Sequence, residues 1–120
     1  MKKRAIVHVD ISATNTTESA EFYQSVFGWE HHTSEDYNYT MFGSGNDGGG
    51  GYIQVGENGV KQGDIVLFID SDDIEADLAT IESNGGKRLS EKMVIEGFGE
   101  MAYFSDPGGN KVGLWKTTNQ

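Results

Sequence analysis

The 120-residue chain contains no cysteine. Disulfides, thiolate metal sites and thiol catalysis are thereby excluded, and a cytoplasmic protein is expected. Basic residues are scarce, 9 against 19 acidic, for a net charge of −10. Binding to a nucleic-acid backbone draws on clustered Lys and Arg. The only such clusters here are Lys2-Lys3-Arg4 and Lys87-Arg88, so no nucleic-acid partner is expected. No apolar run approaches the roughly 18 residues of a membrane span. The opening MKKRAIVHVD is basic but has no apolar segment behind it, so neither a membrane partner nor a signal peptide is expected. No GxGxxG leads from a strand into a helix, no Gly-Lys-Ser/Thr occurs, and no Ser-His-Asp arrangement can be argued.

What is present is a regular alternation of elements. Ala5 to Ser12 alternates, with Ala5, Val7, Val9 and Ile11 on one face and Ile6, His8, Asp10 and Ser12 on the other. That pattern is a strand with one face on a core. Asn15 with Glu18 three residues on is a helix start. Ala20, Phe22, Tyr23, Val26 and Phe27 form a broad apolar stripe, and Gly28 is the stop. Trp29 to Ser34 and Tyr37 to Phe42 read as short strands about the turn Ser34-Glu35-Asp36. The glycine-rich stretch 43–51 reads as a flexible loop or mobile lip, and Tyr52 to Val55 as a strand.

A second round begins at Gly63. Asp64 to Asp70 is a strand, Ser71 or Asp72 caps a helix carrying Ile74, Leu78 and Ile81, and Asn84-Gly85-Gly86 ends it. Lys87 to Ile95, Met101 to Ser105 and Lys111 to Lys116 follow as strands. Phe22 follows His8 by 14 residues and Leu78 follows Asp64 by 14, so the two halves are in step.

His8, Phe22-Tyr23 and Phe27-Gly28-Trp29 in the first half, with Asp70-Ser71-Asp72-Asp73, Ser83-Asn84-Gly85-Gly86 and Phe104-Ser105-Asp106-Pro107-Gly108-Gly109-Asn110 in the second, resemble the vicinal oxygen chelate superfamily. That superfamily includes glyoxalase I, extradiol dioxygenases and the bleomycin- and fosfomycin-resistance proteins. The resemblance implies an α+β fold: one domain, residues 1–120, of two βαβββ modules (about 1–58 and 59–120) forming a half-open barrel around a cleft. It also implies a homodimer.

The resemblance further implies that metal-dependent members' ligand places fall on His8, Gln54, Asp64 and Gly113. Gln54 follows His8 by 46 residues and Gly113 follows Asp64 by 49. Gly113 has no side chain where a Glu is usual, so the remaining set is His8, Gln54 and Asp64. The expected cleft residues are His8, Asp10, Gln54, Asp64, Phe68, Met101, Tyr103, Gly113 and Trp115, with the aromatics as an apolar wall and room opened at Gly113. Read without the family, His8 is a hydrogen-bonded polar residue and the aromatics are core. No cofactor is required. The expected function is binding of a small molecule in the cleft without a complete catalytic metal site. The alternatives are a lyase, isomerase or dioxygenase using Ni, Zn, Fe or Mn, and a structural or regulatory subunit.

Overall fold

The computed structural model describes residues 2–35, 39–45 and 48–118. Its elements run β1 (Ile6–Ala13), α1 (Thr16–Phe27), β2 (His31–Ser34), β3 (Tyr39–Gly45), β4 (Gly48–Gln54), β5 (Ile65–Asp70), α2 (Ile74–Ser83), β6 (Lys87–Arg88), β7 (Met93–Ile95), β8 (Gly99–Ser105) and β9 (Lys111–Thr117). Strand, helix and strands therefore recur twice, giving the expected α+β fold, with nine strands and two α-helices among the described residues.

The chain divides into two compact units. The first is His8–Val66, with strand order β2-β3-β4-β1. β1 and β4 are parallel neighbours, and the other pairs are antiparallel. The helix between β1 and the later strands is the crossover that a parallel pair requires. Ala13, Ala20, Phe42 and Tyr52 are its buried core, flanked by Ile11, Tyr23 and Trp29. The rings form a continuous stack. Trp29 lies 4.8 Å from Phe42 and 5.2 Å from Tyr23, and Phe42 lies 5.0 Å from Tyr52.

The second unit joins Met1–Val7 to Leu67–Gln120. Its order is β5-β9-β8-β6 with β7 also on β8, and again the first and last long strands, β5 and β9, are parallel. Ile74 and Leu78 of α2 pack on Ala102, Phe104 and Leu114, with Ile81 alongside. The spacing of Ile74, Leu78 and Ile81 is what turns all three toward the strands.

Local signals decide the helix ends. The Asn15 side chain accepts from the Glu18 N–H at 3.0 Å, and Gly28 takes the left-handed conformation and donates to the Gln24 carbonyl at 2.9 Å. In α2 the cap is Asp73, which accepts from the Ala76 N–H at 3.1 Å, rather than Ser71 or Asp72. Ser71 is buried and committed elsewhere: its hydroxyl donates to Asp77 at 2.6 Å. Asp77 also receives both guanidinium nitrogens of Arg4 at 2.8 Å, a bidentate clasp of the N-terminal segment onto α2.

Three sequence expectations need correction. The glycine stretch is strand: β3 runs to Gly45 and β4 begins at Gly48, and Asn46 and Asp47 lie outside the described residues. The expected strand Lys87 to Ile95 is two short ones, because the Ser90 hydroxyl replaces a backbone partner and accepts the Tyr103 N–H at 2.9 Å. On α1 only Ala20 is buried, and Phe22, Val26 and Phe27 are exposed. Of the expected turn and strand, Asp36 to Asn38 lie outside the described residues.

The glycines of β4 are where the backbones crowd. A Cβ on Gly50 would stand 1.8 Å from the Val9 carbonyl oxygen, whereas one on Gly43 meets nothing within 4 Å. Gly50→Ala should therefore lower the urea-unfolding free energy by about 3 kcal/mol, and Gly43→Ala should leave it nearly unchanged. A second outcome concerns acid. The Arg4 guanidinium, with help from Ser71, holds the Asp77 carboxyl below the usual carboxylate range against the opposing effect of burial. A depressed folded value stabilises fully above the unfolded value of about 3.9 and is lost as pH falls through the folded value. Asp77→Asn should flatten the melting-temperature profile below about pH 4 and lower the plateau at neutral pH.

Candidate functional site

The first unit gathers three polar side chains on the face of its sheet opposite α1. On β1, Ile11 and Ala13 turn toward the helix, so His8 and Asp10 turn away from it. Asp10 is 5% exposed, unusual for a carboxylate, and must be paired. Its Oδ1 accepts from the Tyr39 hydroxyl and from His8 Nε2, the latter at 2.9 Å, and Nε2 also lies 2.7 Å from the Tyr39 oxygen. A carboxylate only accepts, and the Tyr39 proton is directed to Asp10. In the Nε2–H tautomer His8 shares that proton between both oxygens.

Tyr39 reaches this cluster across β4. Gly51 is the register partner of Asp10 on β1 and of Met41 on β3. A Cβ at Gly51 would stand 1.9 Å from the Tyr39 oxygen and 2.1 Å from its ring. The ring lies over the strand because position 51 is bare. Tyr39 is the site residue that the sequence reading missed. Its only trace in the sequence is a glycine run in a segment that would otherwise alternate.

The remaining expected positions divide. Gln54 is the register partner of Ala13, five residues from His8 and on the opposite face, and its amide donates to the Thr14 carbonyl at 2.9 Å. The Asp64 carbonyl accepts from the Ser12 N–H, which places Asp64 beside Ser12, about 13 Å along β1 from His8 at the usual strand rise. Its carboxylate caps a turn by accepting the Lys61 N–H at 2.9 Å. In the second unit Phe68, Gly113 and Tyr103 form one cross-strand row, and Met93, Met101 and Trp115 form the next. Phe68 and Tyr103 are buried with ring centroids 5.8 Å apart, while Met93, Met101 and Trp115 stay half-exposed. The room expected at Gly113 is taken: a Cβ there would stand 2.2 Å from the Phe68 ring.

These positions decide whether the family's metal fits. His8 Nε2 faces Asp10 and Tyr39, and neither Gln54 nor Asp64 is among its partners. Gln54 and Asp64 do not come to the same place, and Phe68 backs the position of the fourth ligand. Among the described residues no group of three or more His, Asp or Glu side chains could hold a metal ion. The set His8, Gln54 and Asp64 therefore does not fit one.

The paired parallel modules and the polar face of β1 define the class of protein. The model of the glyoxalase/bleomycin resistance protein/dioxygenase superfamily matches residues 5–114, and the chain belongs to that superfamily. Among particular relatives, a Mycobacterium tuberculosis protein that carries the name glyoxylase CFP32 is 28% identical over 90% of this chain and 44% of its own length. The anthracycline biosynthesis protein DnrV of Streptomyces peucetius is 27% identical over 89% of this chain and 45% of its own. The chain thus spans less than half the length of these curated relatives. The solved structure of hypothetical protein BH1468 from Bacillus halodurans superposes with a TM-score of 0.76 at 12% identity, covering 99% of this chain and 98% of that one, which establishes the shared fold. No helix among the described residues is long and apolar enough to cross a membrane.

The Gly51–Tyr39 contact gives a direct check. Gly51→Ala should cost about 2 kcal/mol of stability in urea unfolding by displacing the ring. Tyr39→Ala should cost less in the Gly51→Ala background than in the parent, since the displaced ring has fewer native contacts left to lose and its removal relieves the clash.

Proposed function

We propose that the protein binds a small organic molecule and needs no complete catalytic metal site to do so. The observation that carries this reading is the His8–Asp10–Tyr39 cluster, a half-exposed imidazole whose Nε2 is tied to a buried carboxylate and a phenol. Such a cluster offers a held imidazole to one polar group of a ligand. The names of the two relatives, a glyoxylase and an anthracycline biosynthesis protein, support small organic molecules as the ligand class. A homodimer, the assembly that the superfamily resemblance implies, goes with this reading.

Elemental analysis of protein purified without added metal should find less than stoichiometric Ni, Zn, Fe and Mn. Adding these ions should leave the melting temperature unchanged. A thermal-shift screen of small organic compounds, an anthracycline among them, should yield a ligand whose affinity falls at least tenfold in His8→Ala. Stoichiometric metal lost on His8→Ala would favour the alternative, a metal-dependent lyase, isomerase or dioxygenase. A screen without any hit, together with a tight heteromeric partner, would favour a structural or regulatory subunit.

A further inference from the structure

The C-terminal end of α1 carries a second feature, separate from the His8 cluster. A groove of about 380 Å³ opens there, lined by Phe27, Trp29, Glu30 and Ser44. It lies wholly within the His8–Val66 unit. Gly28, Gly43 and Gly45 line the rest of it. A Cβ built on any of the three meets nothing within 4 Å. Gly28 and Gly45 hold left-handed backbone conformations, whereas Gly43 has neither a positive φ nor a close neighbour, and its bare Cα leaves the groove open on that side. The volume is within the range of small-molecule sites, roughly 300 to 1,000 Å³.

We propose that this groove binds a flat organic cation. The apolar half of the argument rests on Phe27. Its ring is 59% exposed, and Phe22 and Val26 extend the same face of α1 at 54% and 57%. Trp29 by contrast is stacked on Phe42 and Tyr23 with interplanar angles of 8° and 10°, which fixes it as a rigid side wall. Phe27 also stacks on Tyr23, with ring centroids 6.1 Å apart, and its remaining exposed surface is what a ligand can meet. A contiguous exposed apolar surface of this kind is uncommon unless it binds something.

The charge of the occupant follows from three features that agree. Among the described residues Glu30 is the only ionisable side chain lining the groove. α1 ends at the groove, and the C-terminal end of a helix carries partial negative charge. No basic residue in its last turn offsets that charge. A net charge of −10 adds to the local field and disfavours an anion. An aromatic ring face beside a carboxylate is the arrangement that attracts an organic cation.

The test is titration of the ¹⁵N-labelled full chain with 1-methylquinolinium, with quinoline as neutral isostere and naphthalene-2-sulfonate as anion. The cation should shift the amides of Gly28, Glu30, Gly43 and Ser44 saturably, and the other two probes should bind at least fivefold more weakly. Glu30→Gln and Phe27→Ala should each weaken the cation about threefold, as expected for an exposed charge pair and an exposed ring contact. Both positions are exposed, so both variants should keep the parent melting temperature. Gly43→Leu, which fills the groove from its open side, should abolish the shifts, and His8→Ala should leave them unaltered. Equal binding of all three probes, no saturable shift, or shifts confined to His8 and Tyr39 would overturn the proposal. Loss of a ligand at the His8 cluster alone would bear only on the other reading.

Discussion

Much of the first unit depends on one steric permission: the Tyr39 ring lies across β4 where Gly51 has no side chain. Strands β1 and β3 are not neighbours, so a side chain on one reaches the other only over the strand between them. The bare position lets the phenol arrive at Asp10. Asp10 can then be buried, because it gains donors from Tyr39 and His8 in place of water. His8 is fixed in orientation as a result. Backbone sterics, burial and polar chemistry thus form one chain of dependence.

The two halves meet the same topology with different chemistry. Each places a helix between parallel first and last strands and a core beneath that helix. In the first, the opposite face carries ionisable groups and space kept by glycine. In the second, Phe68 occupies the space beside Gly113 and the rows are apolar. This asymmetry explains why a ligand set taken from the family by position does not assemble. Equal spacing along the chain guarantees equivalent places in the two modules. It says nothing of whether the groups there share a face.

How far the residues announced the structure varies with the range of the interaction. Asn15, Glu18 and Gly28 act within four residues of themselves, and α1 begins and ends as they indicate. The α2 cap slipped by a residue or two because Ser71, Asp72 and Asp73 are all competent caps. Arg4 and Asp77, distant and close in turn, decide the outcome by occupying Ser71. The glycine run was misread since glycine is ordinarily a loop signal, and here its value lies in what Tyr39 and Val9 place against it. The amphipathic stripe of α1 indicated a helix correctly but overstated its burial, because the sheet beneath it covers only Ala20 and part of Tyr23. His8 and Asp10 were legible as a polar pair on one face. Their partner was not, as it comes from a strand 29 residues beyond Asp10.

The glycine run of β4 has one more consequence. Strands choose their alignment mainly through side chains that fit one face and not the other, and a slip by one position reverses every face. Gly48 to Gly51 have no side chains to reverse, so this half of β4 carries little information about its own alignment. That information sits at the ends, in Tyr52 and Ile53 beneath and in the Tyr39 ring laid over Gly51. The tyrosine that completes the polar cluster is thus also a pawl that keeps an otherwise featureless strand from sliding. Selection acting on the one role would preserve the other.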